Sequence, residues 1–158
     1  MPLYTPMPLA RRIAMEGKKT MATISDKTAL ALRDAEFGQI LSDAFAKGQE
    51  AGRTASPRAM AIVACDLFGT PTPGAPVHVE DEGACGFAWV NIKPGNSSFA
   101  QYLKKQGIAD KSYYGGVDIW ISEHGQSYER KLAHARAISD HFRDNVQGVT
   151  VHASGRLD

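Results

Sequence analysis

Apolar residues recur at three- and four-residue steps in two long parts of the chain, which is the spacing of one face of a helix. The earlier part covers residues 25–56, where Ser25 or Asp26 can cap the start and Gly48 and Gly52 predict an end near residues 48–53. The later one is clearer and places apolar side chains at Tyr128, Leu132, Ala135, Ile138, Phe142 and Val146, with Gly148 ending it. A shorter helix is predicted after Ser97 or Ser98, ending at Gly107.

Alternating or short apolar runs predict the strands. Residues 85–93, 117–121 and 149–151 follow this pattern, and residues 60–67 and 77–79 add two more, separated by a loop rich in proline and glycine. The second half of the chain therefore reads strand, helix, strand, helix, strand, which predicts right-handed crossovers between parallel neighbours. The expected fold class is α/β (α+β): a small mixed sheet with a β-α-β-α-β C-terminal half and the N-terminal helix packed on it.

The net charge differs between three consecutive parts of the chain. Residues 1–33 carry a net charge of +4, residues 34–85 of −5 and residues 86–158 of +2. Three prolines within the first eight residues, followed by Arg11, Arg12, Lys18 and Lys19, favour an extended basic arm. The predicted organisation is a basic, proline-rich arm at residues 1–24, an amphipathic helix at 25–56 and a small α/β domain at 57–158. The four basic residues are the candidate partner-binding side chains, although a mobile leader would have the same composition.

The two junctions between a strand and the following helix are the candidate ligand site. If the sheet is parallel, both lie at the same edge, where ligands bind in open α/β folds. Each offers helix N-terminal N–H groups, glycine and hydroxyls, which suit a phosphate or a carboxylate. The candidate ligand-binding residues are Lys93, Asn96, Ser97, Ser98, His124, Gln126 and Ser127. Serine and glycine are also ordinary caps and turns, so a purely structural role is the alternative.

No catalytic or metal-binding set is apparent. No serine, histidine and carboxylate stand in a recognisable triad pattern, and neither a Walker sequence nor a G-x-G-x-x-G motif occurs. His134 and His141 are seven residues apart on one predicted helix, too far for one zinc ion, and Cys65 and Cys85 are expected to be small core residues. We expect no cofactor.

Aromatic residues lie on or beside the central strands. Phe87 and Trp89 share one face of their strand, while Ala88, Val90 and Ile92 share the other. Apolar residues on both faces favour a sheet covered on both sides, with the rings in the core. An exposed face would instead let the rings stack on single-stranded nucleic acid.

Composition limits the classes of function. With 158 residues, 43% of them apolar, and 18 basic against 17 acidic side chains, the chain is one ordinary domain without the excess charge of a chromatin protein. No apolar run approaches the length of a membrane helix, and two cysteines cannot form a disulfide framework. We therefore expect an intracellular protein that does not contact membranes.

Four segments carry a resemblance to a known family. Residues 86–90 (GFAWV), 113–116 (YYGG), 126–131 (QSYERK) and 154–158 (SGRLD) resemble a family of small uncharacterised proteins of tailed bacteriophages and prophages, over residues 83–158. Gly155 interrupts the closing Ser-Arg-Leu-Asp of that family. The resemblance implies a phage context, in the host cytoplasm or the virion, and names no catalytic position.

These observations favour a non-enzymatic bacteriophage protein, a virion or assembly accessory that contacts other phage structural proteins or copies of itself. The alternative is a small intracellular phage domain that binds a phosphate-bearing ligand or nucleic acid at the strand-to-helix loops. Nucleic acid is also a candidate partner of the basic arm and of exposed aromatic residues. Each of these functions is an expectation from sequence.

Overall fold

A computed structural model describes the backbone of residues 9–158 and the side chains from Asp26 onward. Three helices and six strands follow one another in this part of the chain. The helices are α1 (Leu9–Thr54), α2 (Ser98–Lys105) and α3 (Tyr128–Asn145). The strands are β1 (Met60–Val63), β2 (Val77–Glu80), β3 (Gly86–Lys93), β4 (Asp110–Lys111), β5 (Val117–Trp120) and β6 (Thr150–Leu157).

Helix α1 begins earlier than the hydrophobic pattern predicts. Its backbone is helical from Leu9, so the extended conformation predicted for the arm is wrong over residues 9–24. Residues 1–8, and the side chains of Arg11, Arg12, Lys18 and Lys19, lie outside the described part. The chain divides into two compact units after Gly38, and α1 contributes to both. In the first unit the Arg33 guanidinium lies 5.7 Å from the centre of the Phe37 ring.

The second unit, residues 39–158, contains two antiparallel sheets. Strands β1 and β2 form a hairpin in which Met60 pairs with Glu80 and Val63 with Val77. The four remaining strands form one sheet in the order β4-β5-β3-β6. Mixed helix and strand confirm the predicted α+β class.

The neighbours in the four-stranded sheet are antiparallel, so the prediction of parallel neighbours is wrong. Strand β4, which the sequence analysis missed, is the physical reason. It forms a hairpin with β5, and β5 inserts between β3 and β4, while β3 inserts between β5 and β6. Each helix thus connects two parallel strands that are separated by an antiparallel one. This β-α-β-β-α-β connectivity is the ferredoxin-like arrangement, also called a split β-α-β fold.

One face of this sheet forms the core with the helices. Ala88, Val90 and Ile92 of β3 are completely buried, as is Val151 of β6. Helix α3 packs on β3 and β6, and its Phe142 ring lies 5.0 Å from the Phe99 ring of α2 in an edge-to-face contact. Burial of these side chains against the helices is the main stabilising contribution to the unit.

Helix α1 reaches this layer through two glycines. A Cβ atom built on Gly48 would lie 2.3 Å from His134 Cδ2, and one on Gly52 would lie 2.2 Å from His124 Nε2. The predicted role of these glycines as helix stops is therefore incomplete, because both lie within α1 and permit its close approach to two histidines. The helix ends at Thr54, and the Arg130 side chain of α3 donates hydrogen bonds to the carbonyl oxygens of Gly52, Arg53 and Ala55.

Within residues 9–158, no helix combines the length and the apolar character that crossing a bilayer requires.

Candidate nucleic-acid interface

The second face of the four-stranded sheet is open and carries aromatic rings. Trp89 of β3 and Trp120 of β5 are paired across the two central strands, with their ring centres 5.0 Å apart and their planes inclined by 35°. Trp120 is 50% exposed, and Trp89 is half-buried. Alternation along β3 was predicted correctly, but the expectation that these rings lie in the core is wrong, because both helices cover the opposite face.

The turn between β4 and β5 adds two tyrosines to this face. Ser112 holds the turn, since its N–H donates to the Gly116 carbonyl at 3.1 Å and its Oγ accepts from the Tyr114 N–H at 3.2 Å. Gly116 has a φ of 81°, and a Cβ there would lie 2.2 Å from the Ile92 carbonyl oxygen, so only glycine fits. Tyr113 and Tyr114 are consequently left 93% and 74% exposed.

Two cavities flank Trp89 on the open face. The larger has a volume of about 520 Å³ and is lined by Trp89, Lys111, Tyr113, Tyr114, Asp118, Trp120 and Arg156. The smaller measures about 310 Å³ and is lined by Trp89, Asn91, Lys93, Tyr114, His152 and Ser154. Trp89 and Tyr114 contribute to both cavities. The two are therefore contiguous, and together with their lining side chains they are called the aromatic groove below.

Three exposed cations line the aromatic groove. Lys111 and Arg156 belong to the larger cavity and Lys93 to the smaller one. The Arg156 guanidinium also lies 5.3 Å from the centre of the Phe87 ring, its cross-strand neighbour. Stacking on a ring holds a guanidinium in place while leaving its N–H groups able to donate. The groove thus combines flat aromatic surfaces with positive charge.

The floor of the groove is polar. Asn91 of β3 and Asp118 of β5 are cross-strand partners, 9% and 8% exposed respectively. Asn91 Nδ2 donates to Asp118 Oδ1 at 2.6 Å and to the Gly115 carbonyl at 3.1 Å. These bonds connect the two central strands to the tyrosine-bearing turn.

The structure does not bring the two predicted ligand-binding junctions together. Strands β3 and β5 are antiparallel, with Trp89 opposite Trp120 and Ile92 opposite Val117, so the junctions after the two strands lie at opposite ends of the pair. The single site predicted from Lys93, Asn96, Ser97 and Ser98 with His124, Gln126 and Ser127 is therefore wrong as a constellation. Its physical premise was a parallel sheet.

Two of the predicted serines have structural roles. Ser97 Oγ caps α2 by accepting from the Ala100 N–H at 3.2 Å. Ser127 is 2% exposed and donates its hydroxyl to the Glu82 carbonyl at 2.8 Å, which attaches the turn after β2 to the start of α3. Asn96, Ser98 and Gln126 are exposed. Of the seven, Lys93 lines the aromatic groove.

His124 is half-buried and contacts a buried histidine. Its Nε2 lies 2.9 Å from His134 Nδ1, and His134 is 1% exposed. Burial lowers the pKa of both imidazoles; Glu123 opposes this by favouring the charged form, while Arg130 and Lys131 lower the pKa of His124 further. The pair lies against α1, with His134 next to Gly48 and His124 next to Gly52.

The two cysteines, which could also carry chemistry, do not line the aromatic groove. Cys65 and Cys85 are both exposed, contrary to the expectation of core residues. Among the described side chains, no three histidines, cysteines or carboxylates are grouped so that they could hold a metal ion.

An exposed aromatic face that stacks on nucleic acid is one of the alternatives that the sequence leaves open. Its signal was present as Trp89, Trp120, Tyr113 and Tyr114, which lie on or next to two adjacent strands. Its opening to solvent could not be read from the alternation, because apolar residues occupy both faces of β3. Comparisons with family models, curated proteins and solved structures find no match to this chain.

Proposed function

We propose that this protein binds single-stranded nucleic acid across the aromatic groove. The observation that carries the proposal is the exposed pair of Trp89 and Trp120 on the two central strands, with cations at the rim. Bases stack on aromatic rings whatever their identity, and each stacked base contributes about 1–3 kcal/mol. A folded duplex hides these base faces, so the groove favours unpaired strands.

The charges around the groove support the same ligand class. Lys93, Lys111 and Arg156 can each neutralise a phosphate of a strand that crosses the sheet. A cationic ligand, which aromatic rings also attract, would be repelled by these three side chains. A single-stranded nucleic acid is anionic and has bases that stack. It therefore fits these rings and charges better than a cationic ligand does.

The architecture gives further support by analogy. The RNA-recognition motif uses one face of a four-stranded sheet whose aromatic residues stack two or three bases. Here the rings lie on the two central strands of a four-stranded β-α-β-β-α-β sheet. Because one fold serves many functions, the rings and cations of the groove carry more weight for this proposal than the likeness of the fold.

Fluorescence anisotropy with two labelled 12-nucleotide single strands of mixed sequence, one RNA and one DNA, tests the proposal. We expect binding that Trp120→Ala weakens by about 5- to 150-fold, the equivalent of one lost stacking contact. Phe68→Ala is the matched control, because Phe68 is 93% exposed but lies in the loop between β1 and β2, away from the groove residues. Absence of binding to both oligonucleotides, or equal losses in the two variants, would contradict the proposal.

Protein–protein contact is a second candidate, favoured by the loop of the β1–β2 hairpin. Leu67 and Phe68 are 99% and 93% exposed. The loop is nonetheless ordered by Asp66, whose Oδ1 accepts from the N–H groups of Phe68 and Thr70, each at 2.9 Å. These backbone hydrogen bonds lower the pKa of Asp66. A preorganised apolar tip suits insertion into a partner protein.

The phage accessory role expected from the sequence belongs to this second candidate, together with a location in the host cytoplasm or the virion. Quantitative mass spectrometry of purified phage particles tests it. A fixed copy number relative to the major shell protein would support a structural role. Absence from the particles would count against it and leave nucleic-acid binding as the function to pursue.

A further inference from the structure

The floor of the aromatic groove presents a carboxylate that has no ionic partner among the described side chains. Asp118 is 92% buried, as its exposed fraction is 8%, and it lines the larger cavity. Its Oδ1 accepts from Asn91 Nδ2, whereas the described residues give its Oδ2 no hydrogen bond. Its second oxygen is therefore an acceptor in the groove that the described residues leave unused.

Asn91 adds a second acceptor in the smaller cavity. Its Nδ2 lies within hydrogen-bond distance of three oxygens, those of Asp118 Oδ1, the Gly115 carbonyl and the Val117 carbonyl. This arrangement determines which way the amide is turned, because the reverse orientation would place Oδ1 against the same oxygens. The amide oxygen is thus the polar atom of Asn91 that these bonds leave unused. The groove floor accepts hydrogen bonds and has no unused side-chain donor at either residue.

A floor of acceptors distinguishes among bases. Guanine presents two adjacent donors on its Watson–Crick edge, the N1–H and the 2-amino group, which match the two oxygens of one carboxylate. Asp118 Oδ1 keeps a second lone pair for this contact while it accepts from Asn91. Cytosine and adenine each present one amino group. Uracil and thymine present a single N3–H flanked by two carbonyl oxygens, which a carboxylate repels. Hydrogen bonds to an ionised group are about twice as strong as neutral ones, so this difference in donors matters.

We propose that Asp118 makes the aromatic groove selective for guanine, with cytosine and adenine bound less tightly and uracil or thymine least. This inference rests on the proposed function, since the stacked rings must first hold a base over Asp118. Trp89 and Trp120 supply stacking that does not depend on the base, Lys111 and Arg156 supply phosphate contacts, and Asp118 reads the base edge.

The test measures the affinity of the wild-type protein for oligonucleotides that differ at one central nucleotide. Labelled octamers of the form U4-X-U3 carry guanine, inosine, cytosine, adenine or uracil at X, with a matching DNA series. We expect guanine to bind about tenfold more tightly than uracil, as for a bidentate base contact. Inosine, which lacks the 2-amino group, should lie between them.

Variants connect the preference to one side chain. Asp118→Asn keeps an oxygen for Asn91 but removes the charge and one acceptor, so we expect the guanine preference to disappear while uracil binding stays equal or improves. Asp110→Asn is the matched control: it makes the same charge change at an exposed residue that is paired with Asp118 in register. It should preserve the ratio between guanine and uracil. Thermal melting verifies that both variants fold, and the inosine series needs no variant.

The outcomes separate the two proposals. Equal affinity for all five central bases, or a preference for uracil, would overturn base selection by Asp118 and leave nucleic-acid binding intact. Failure of the wild-type protein to bind any octamer in either series would overturn both. A guanine preference that persists in Asp118→Asn would show that another group reads the base, which also overturns the assignment.

Discussion

The two faces of the four-stranded sheet differ in how deeply their apolar side chains are buried. On one face Ala88, Val90 and Ile92 are completely buried beneath the helices. On the other, one residue along the same strand, Trp89 is half-buried and its partner Trp120 is 50% exposed. Ordinary soluble domains bury large aromatic side chains when they can, so an aromatic face that the fold leaves uncovered is evidence of a binding surface.

Two adjacent residues of β5 allow the most direct test of this difference between the faces. Ile119 is 2% exposed on the helix side, and Trp120 is 50% exposed on the other. We expect Ile119→Ala to lower the free energy of unfolding by about 2–5 kcal/mol through lost burial and a cavity. Trp120→Ala should cost about 1 kcal/mol, mainly its ring contact with Trp89. Urea denaturation followed by circular dichroism measures both, and equal losses would mean that the open face is as structural as the core.

The close contact that α1 makes at Gly48 allows a second test, within the helix layer. Gly48→Ala would place a methyl group against the His134 ring and Ile138 Cγ1, for which the tight packing has no room. We expect a loss of about 1–3 kcal/mol of stability, despite the better helix propensity of alanine. Gln49→Ala, at the next and exposed position, is the control and should change stability little. An equal or stabilising effect of Gly48→Ala would show that α1 does not pack as closely as described.

Acidification should lower the stability of the folded protein through two histidines on the covered side of the sheet. Burial lowers the pKa values of His124 and His134, so the unfolded chain takes up protons near pH 6.5 before the folded one does. The unfolding free energy therefore falls as the pH decreases from about 6.5, while the pKa values of Asp66 and Glu82 are lowered and place their effects at more acidic pH.

Denaturation curves between pH 8 and 5 measure this dependence. In His134→Gln the slope of stability against pH should be smaller, whereas His152→Gln, at an exposed position on the open face, should retain the wild-type slope. A wild-type slope in His134→Gln would contradict the assignment of this pH dependence to His124 and His134.

The smallest expected effect concerns the rim of the open face. Removing Lys111 by Lys111→Ala should reduce the slope of log affinity against log salt concentration for a single strand by about 0.7, the value for one phosphate contact. Anisotropy titrations between 50 and 200 mM salt measure the slope. Lys104→Ala, an exposed lysine in the last turn of α2, is the control. Identical slopes in the two variants would remove Lys111 from the proposed interface.

Local signals were sufficient for several elements of the fold. The spacing from Tyr128 to Val146 predicts α3, which the structure places at Tyr128–Asn145. Ser97 caps α2 as expected, because a serine oxygen next to the first turn satisfies an N–H that the helix leaves unpaired. The β5 strand and the glycine turn before it follow from alternation and from the need for positive φ. Such features depend on residues a few positions apart.

The candidate site depended on contacts that local patterns do not contain. Strand β4 is only Asp110–Lys111, too short to produce an alternation, yet its pairing places β5 beside β3 in the antiparallel direction. That pairing separates the predicted junction residues and brings Trp89 opposite Trp120 and Asn91 opposite Asp118. The ligand site predicted from the sequence was therefore misplaced, whereas its aromatic alternative contained the rings of the groove.

Local periodicity is sufficient to assign residues to one face of each strand and to locate the C-terminal helices, because a period of two or 3.6 residues is a property of the local backbone. Which face is covered depends on packing between elements that are distant in the sequence. Both helices pack on the side of Ala88, Val90 and Ile92, since they can bury their apolar surfaces only against one another and one side of the sheet. The opposite side, with its tryptophans, cations and buried carboxylate, is left open to a ligand.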